Sequence, residues 1–127
     1  MGKKSILVIE DNDLNMKLVK GLLQIGGYNM LEANDAETGI DMTREHHPDL
    51  ILMDIQLPGM DGLSATRKIL SDSDLKHIPI VALTSYAMEG DKEKALAVGC
   101  AGYITKPIQN ESFLKAISEY LDTDKSD

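Results

Sequence analysis

The sequence is poor in cysteine and in aromatic residues. Its 127 residues include one cysteine, Cys100, no tryptophan, one phenylalanine and four tyrosines. A single cysteine cannot close an internal disulfide, so a disulfide-stapled secreted fold is not expected, and we interpret Cys100 as a packed thiol. The scattered aromatic residues form no evident platform on which nucleic-acid bases could stack.

Positive charge and long apolar runs are also scarce. Lys and Arg number 13 against 21 Asp and Glu, which gives a net charge of -8. This balance repels a phosphate backbone and argues against nucleic-acid binding. No apolar run has the length of a membrane span or of a signal-peptide core. We therefore expect a cytoplasmic protein with neither a nucleic-acid nor a membrane partner.

Short apolar runs are present, and segments of helical periodicity separate them. Five strands are predicted, at residues 5–9, 29–33, 50–53, 80–83 and 102–104. Their near-continuous apolar character indicates strands that are covered on both faces. Strands that alternate with helices predict βαβ units, and hence a doubly wound α/β domain with a parallel sheet.

The predicted helices have recognisable starts, stops and apolar stripes. In the first, Leu14, Leu18, Leu22 and Ile25 recur at helical spacing before the stop signal Gly26-Gly27, and Asn12 and Asp13 are interpreted as cap residues. The second begins at Asn34 or Asp35 and runs to about residue 46, Asp61 caps the third, and the fourth covers 89–98. Asn110 caps the fifth, in which Phe113, Ile117 and Leu121 form one stripe.

Polar residues follow four of the five strands at their carboxyl ends, the edge where open α/β sheets bind ligands. They are Glu10 and Asp11 after the first strand, Asp54 after the third, Thr84 and Ser85 after the fourth, and Thr105 and Lys106 after the fifth. Singly, each could be a helix cap, a turn residue or a surface lysine. Together they would form a cluster of carboxylates beside a hydroxyl and an ammonium group.

Such a cluster has the parts that phosphoryl transfer to a carboxylate requires. Closely packed carboxylates repel one another unless a cation intervenes, and oxygen ligands together with a phosphate suit Mg²⁺. An aspartate carboxylate can act as the nucleophile. The metal and a lysine can balance charge on the phosphoryl oxygens, while a hydroxyl binds one of them.

Four segments, in this order, resemble the receiver domain of two-component response regulators. They are VIEDN, LILMDIQLPGMDG, VALTSYA and GYITKP. The resemblance implies a (βα)5 flavodoxin-like three-layer sandwich with strand order 2-1-3-4-5. It covers essentially the whole chain, so we expect one receiver domain over residues 1–127, with an ordered core of about 4–122 and a polar C-terminal tail. Within the family, the sequence is most similar to stand-alone receivers of the cell-division or chemotaxis type and to receivers of hybrid histidine kinases.

The resemblance also implies a role for individual residues. Asp54 would be phosphorylated, and Mg²⁺ would be held by Glu10, Asp11, Asp54 and the backbone carbonyl of Gln56. Many members have two Asp where this chain has Glu10-Asp11, and the longer Glu10 would hold the metal differently. Thr84 and Lys106 would each bind a phosphoryl oxygen, and Tyr103 would turn inward when Thr84 moves toward the phosphoryl group. Tyr86, Ala87 and Met88 would either form a partner surface with Tyr103 or simply pack as a loop on the fourth helix.

The implied function is signalling. A sensor histidine kinase or a histidine phosphotransfer protein would donate the phosphoryl group, and an unknown downstream protein would respond. The chain would catalyse only its own phosphorylation and dephosphorylation.

Two other classes of function are compatible with the predicted fold, but specific residues of the sequence argue against each of them. A flavodoxin-like cofactor binder would place a flavin phosphate in the loop after the first strand, which here reads EDND and would repel it. A turnover phosphatase with an aspartyl intermediate would usually need a second acid two residues after the nucleophile, where this chain has Gln56.

Overall fold

The computed structural model describes residues 3–57, 59–85, 90–106 and 108–123. Within these ranges, five strands alternate with five helices. The strands are β1 (Ser5–Ile9), β2 (Asn29–Ala33), β3 (Leu50–Asp54), β4 (Ile80–Ser85) and β5 (Gly102–Lys106). The helices are α1 (Asp13–Ile25), α2 (Ala36–His46), α3 (Gly62–Leu70), α4 (Asp91–Val98) and α5 (Asn110–Thr123).

The strands form one parallel sheet in the order β2-β1-β3-β4-β5, as predicted. The helices cover both of its faces. Ile6 and Val8 of β1 point to the face packed by α1 and α5, whereas Leu7 and Ile9 point to the face packed by α2, α3 and α4. All four side chains are 0% exposed. Burial of such a side chain stabilises a fold by about 1.5–3 kcal/mol, so the central strands are firmly anchored and their carboxyl ends are rigid positions.

Three strands continue beyond their predicted ends. The sequence pattern ended β3 at Met53, but the strand includes Asp54, and β4 and β5 run on to Ser85 and Lys106. The last two residues of β5 remain paired with those of β4, since Thr105 lies opposite Thr84 and Lys106 opposite Ser85. A parallel ladder is made by backbone groups, so it does not stop where the side chains become polar. The polar site residues Asp54, Thr84 and Lys106 therefore lie on strands.

Helix α1 presents a different face to the core from the one that the sequence suggested. Its buried residues are Met16, Val19, Leu22 and Leu23, so only Leu22 of the predicted stripe is buried. Leu14, Leu18 and Ile25 are 77%, 41% and 74% exposed. Two apolar stripes of helical periodicity run along this segment, and the one through Met16 and Val19 packs against the sheet and α5. The prediction of the helix is confirmed, but that of its buried face is wrong.

The helix termini largely follow the expected capping chemistry. The side chains of Asn12, Asp35 and Asp61 each accept a hydrogen bond from a backbone N–H of the first turn, at 2.7–3.0 Å. Helix α4 begins at Asp91, after Gly90 with φ 94°. The predicted first residue of this helix, 89, lies outside the described ranges. The predicted apolar stripe of α5 is confirmed, because Phe113, Ile117 and Leu121 are all buried. The expected polar tail falls, from residue 124 onward, outside the described ranges.

A membrane-spanning segment is not found in the described part of the chain: none of its helices is both long and apolar enough to cross a bilayer.

Candidate functional site

The ends of β1, β3 and β5 bring an ammonium group between two buried carboxylates. Lys106 Nζ donates a hydrogen bond to Asp54 Oδ2 at 3.1 Å and lies 3.2 Å from Glu10 Oε1. Glu10 is 0% exposed and Asp54 4% exposed. Buried charges are tolerated when they are paired, and Lys106 provides that pairing for both. The proximity of these three residues, expected from the strand order, is therefore observed.

One oxygen of each of these two carboxylates accepts a hydrogen bond from a backbone N–H group. The Gln56 N–H donates to Asp54 Oδ1 at 3.0 Å, and the Asn12 N–H donates to Glu10 Oε2 at 3.1 Å. Glu10 Oε1 is buried with no hydrogen-bond partner among the described residues, and Lys106 Nζ is its ion-pair partner at 3.2 Å. This oxygen thus keeps unused capacity as an acceptor or a cation ligand.

A third carboxylate completes a cluster that could hold a metal ion. One carboxylate oxygen from each of Glu10, Asp11 and Asp54 lies within 4.8 Å of the other two. Asp11 is exposed while Glu10 and Asp54 are buried, so the cluster opens to solvent on one side. Hard divalent cations such as Mg²⁺ prefer oxygen ligands. The oxygen donor set, which includes a Glu10 Oε1 that accepts no hydrogen bond from a described residue, therefore fits such an ion.

The crowding of charge raises two pKa values. Burial, followed by a hydrogen bond to Asp54 and repulsion from its charge, raises the pKa of Glu10 from 4.5 to about 7. Burial of Lys106 opposes its charge, but the carboxylates of Asp54 and Glu10 outweigh this effect and raise its pKa. Near neutral pH, Lys106 is charged while Glu10 is poised to bind or release a proton. A cation bound beside Glu10 would favour its release.

The start of α3 lies directly against the backbone of the carboxylate-bearing strand. The Gly62 N–H donates to the Ile55 carbonyl at 3.1 Å. A Cβ on residue 62 would lie 2.8 Å from Ile55 Cα and would also overlap the Asp54 carbonyl oxygen. Only glycine permits this approach, because these neighbours are backbone atoms. The sequence predicted the Asp61 cap but not the close packing of residue 62 on the strand. The glycine that follows Asp61 is the sequence feature that could have indicated it.

Thr84 is buried on the next strand with a free hydroxyl. The residue is 2% exposed, and its Oγ1 has no hydrogen-bond partner in the part of the chain that the structure describes. A buried hydroxyl without a partner is unfavourable. Its position near the carboxyl end of β4 makes it available to a ligand that reaches the site.

Tyr103 of β5 has an outward-facing ring. The residue is 37% exposed, and Lys92 Nζ of α4 lies 5.1 Å from the ring centroid. Sequence reasoning missed Lys92, since no local pattern pairs a residue of α4 with one of β5. The other predicted partner-surface residues, Tyr86, Ala87 and Met88, lie outside the described ranges.

Comparison with known proteins identifies the family. The family model of the response regulator receiver domain matches residues 6–118. The chain is a response regulator receiver domain. The receiver is 47% identical over 118 residues to the polar-differentiation response regulator DivK of Brucella ovis, a match that covers 93% of this chain and 96% of that protein.

Two solved structures show the same fold with a metal ion or a partner. One is the receiver domain of a sensor histidine kinase from Pseudomonas aeruginosa with a magnesium ion coordinated in its active-site cleft. It has a TM-score of 0.88 at 31% identity and covers 95% of this chain and 99% of its own. The other is the receiver domain of Ssk1 from Saccharomyces cerevisiae, crystallised with the histidine phosphotransfer protein Ypd1. It has a TM-score of 0.86 at 29% identity, with coverage of 96% and 91%. The predicted family and fold are confirmed.

Proposed function

We propose that this receiver is a cytoplasmic, single-domain response regulator that accepts a phosphoryl group on Asp54 in a Mg²⁺-dependent reaction. Its signal would be a phosphorylation-dependent change in protein–protein interaction. The observation that carries the proposal is the buried Asp54 carboxylate, which lies 3.1 Å from Lys106 Nζ beside an oxygen-lined cluster open to solvent. The similarity to DivK over 96% of that protein supports the single-domain form.

The cation site would be formed by the carboxylates of Glu10, Asp11 and Asp54 together with the backbone carbonyl of Gln56. The related receiver with Mg²⁺ in its cleft supports this assignment. When bound, Mg²⁺ would offset negative charge on the phosphoryl oxygens.

The transfer step itself is carried out at the Asp54 side chain. A carboxylate oxygen of Asp54 attacks phosphorus, the phosphorus–nitrogen bond of a donor phosphohistidine breaks, and the histidine nitrogen keeps the electron pair. Lys106 places its positive charge beside the new acyl phosphate, and the Thr84 hydroxyl donates to one of its oxygens. This donation would satisfy a hydroxyl that has no partner among the described residues.

The donor would be a sensor histidine kinase or a histidine phosphotransfer protein that docks on α1. This helix begins at Asp13, directly after the acidic loop. Leu14 and Leu18 lie one helical turn apart on its surface and are 77% and 41% exposed. Exposed apolar residues beside a reactive group are typical of a docking surface. The complex of a related receiver with a histidine phosphotransfer protein supports this kind of partner.

The output would pass through Tyr103. Movement of Thr84 toward the phosphoryl group would leave space into which the Tyr103 ring turns, which would change a partner surface to which we also assign Tyr86, Ala87 and Met88. Its target would be a downstream protein. The receiver would catalyse only its own phosphorylation and dephosphorylation.

The decisive experiment is labelling with acetyl phosphate and Mg²⁺, read by intact-protein mass spectrometry. We expect one phosphoryl group on the wild type, none on Asp54→Asn, and none when a chelator removes the cation. Asp41→Asn is the matched control, because Asp41 is an exposed carboxylate on α2, and it should be labelled like the wild type. Wild-type labelling of Asp54→Asn would refute Asp54 as the acceptor.

A further inference from the structure

Helix α4 buries few of its side chains. Of its eight residues, only Asp91 and Ala95 are buried. Its N-cap is Gly90, which makes no side-chain capping bond. Most side chains of α4 are therefore at least partly exposed, and contacts at its surface contribute to how it lies on β5.

Lys92 makes such a contact. It lies in the first turn of α4, and its Nζ is 5.1 Å from the centroid of the Tyr103 ring on β5. A cation in this position is attracted to the face of the ring. The helix macrodipole disfavours positive charge in a first turn, where Asp91 and Glu93 are the favourable residues. The ring contact offsets this disadvantage.

Tyr103 and Thr84 share one face of the sheet. Ala82 lies opposite Tyr103 in the ladder and Thr84 opposite Thr105. Since residues two apart on a strand point to the same face, all four side chains project to the side of Ala82, which packs in the cluster that includes α4. Tyr103 therefore lies on the same face of the sheet as Thr84, with Lys92 of α4 over its ring.

We propose that Lys92 is a positioning residue that holds Tyr103 outward and so opposes activation of the receiver. The inference rests on the proposed function in that Tyr103 is taken as the aromatic residue that reorients. Turning the ring inward breaks its contact with Lys92, so the contact favours the unmodified state alone. For an exposed cation–ring pair, its loss should raise the ratio of inward to outward Tyr103 about two- to five-fold.

The test uses 3-fluorotyrosine in place of the four tyrosines, with the Tyr103 resonance assigned through Tyr103→Phe. Lys92→Met removes the charge and keeps the length of the side chain, whereas Lys92→Arg keeps a cation over the ring. Lys94→Met is the matched control, because Lys94 is an exposed residue of the same helix. The readout is the solvent isotope shift of the Tyr103 fluorine, which reports exposure of the ring.

In the unmodified protein, we expect Lys92→Met to reduce this isotope shift, while Lys92→Arg and Lys94→Met keep the wild-type value. With Mg²⁺ present, Lys92→Met should also lower the beryllofluoride concentration at half-saturation about two- to five-fold. An unchanged Tyr103 isotope shift in Lys92→Met, or an equal change in Lys94→Met, would overturn the inference.

Failure of the proposed function is detected separately. Absence of Asp54 labelling by acetyl phosphate would reject phosphorylation of the receiver. The isotope shifts of the unmodified variants would still show whether Lys92 holds the Tyr103 ring outward, since they require neither phosphate nor metal.

Discussion

Glu10 is the fully buried carboxylate of the site. It is 0% exposed, and burial together with Asp54 raises its pKa from 4.5 to about 7. Between these two pH values the folded protein binds a proton at Glu10 that the unfolded chain has released. The unfolded state therefore binds fewer protons in this window, and the free energy of unfolding falls as the pH rises. The stabilising contribution is complete below pH 4.5 and lost above about pH 7.

The fall of the unfolding free energy with rising pH can be measured. In urea titrations with a chelator present, the wild type should lose roughly 1–3 kcal/mol of unfolding free energy between pH 4.5 and 7 relative to Glu10→Gln. Glu10→Gln keeps the size of the side chain but cannot titrate, so the difference reports the titration that Glu10 adds to this coupled site. Parallel pH profiles for the two proteins would contradict a raised pKa at Glu10.

The hydroxyl of Thr84 allows its proposed role in signalling to be tested apart from its effect on stability. Its Oγ1 is buried without a hydrogen-bond partner among the described residues, so Thr84→Val should leave the unfolding free energy unchanged or raise it by about 1 kcal/mol. The same variant should lose the change in the Tyr103 fluorine resonance on addition of beryllofluoride and Mg²⁺. Thr84→Ser keeps the hydroxyl and should retain that change. A clear loss of stability in Thr84→Val would show that the hydroxyl has a structural partner.

At the scale of elements, the junction of β3 and α3 determines the position of the Asp54 carboxylate, the proposed phosphoryl acceptor. The first residue of α3, Gly62, lies against the backbone of Asp54 and Ile55 with no space for a Cβ. The neighbouring atoms belong to the main chain and cannot rotate away. A side chain at this position must therefore push α3 away from β3 or shift Asp54.

Gly62→Ala should consequently destabilise the receiver by about 1–3 kcal/mol and slow Asp54 labelling by acetyl phosphate. Gly21→Ala is the matched control: Gly21 is inside α1, and a Cβ there would meet nothing within 4 Å. That variant should gain about 0.5–1 kcal/mol from helix propensity and be labelled normally. Equal effects of the two substitutions on labelling would show that the close packing at Gly62 does not position Asp54.

The elements also show which features could be predicted from the sequence. Strand positions, the Asp35 and Asp61 caps and the buried stripe of α5 depend on residues close in sequence, and each is confirmed. The buried face of α1 could not be predicted, because two apolar stripes compete and only tertiary packing selects one. The strand ends were placed too early, since the ladder of backbone hydrogen bonds continues through polar residues such as Thr84.

For the site, the residues on strand ends were found because the fold gathers those ends at one edge. Asp54 and Lys106 are 52 residues apart in the chain and 3.1 Å apart in space. The Lys92–Tyr103 contact was not found, because it depends on how α4 packs on β5 and leaves no periodic or spacing signal. The structure shows which of these side chains lie together, whereas the functional roles given to them, to Gln56 and to residues 86–88 stay predictions.

At the scale of the whole molecule, the sheet separates the two proposed interaction surfaces. Helix α1 packs on the face to which Ile6 and Val8 point, and α4 packs on the opposite face. The exposed Leu14 and the Lys92–Tyr103 pair therefore lie on different sides of the sheet. A phosphodonor on α1 and a target at α4 and β5 would not compete for the same residues, and the edge that carries Asp54 connects them.

This arrangement predicts that a substitution on α1 can weaken docking of the phosphodonor without changing phosphorylation of Asp54 by a small molecule. Leu14→Gln should slow transfer from a phosphorylated histidine phosphotransfer protein about ten-fold or more, because a buried leucine contributes about 1.5–3 kcal/mol at an interface. Labelling by acetyl phosphate, which needs no docking surface, should be unchanged. Ile25→Gln is the matched control, since Ile25 is similarly exposed at the other end of α1, far from the acidic loop. If both substitutions slow transfer equally, or if Leu14→Gln also slows labelling by acetyl phosphate, the docking surface does not include Leu14.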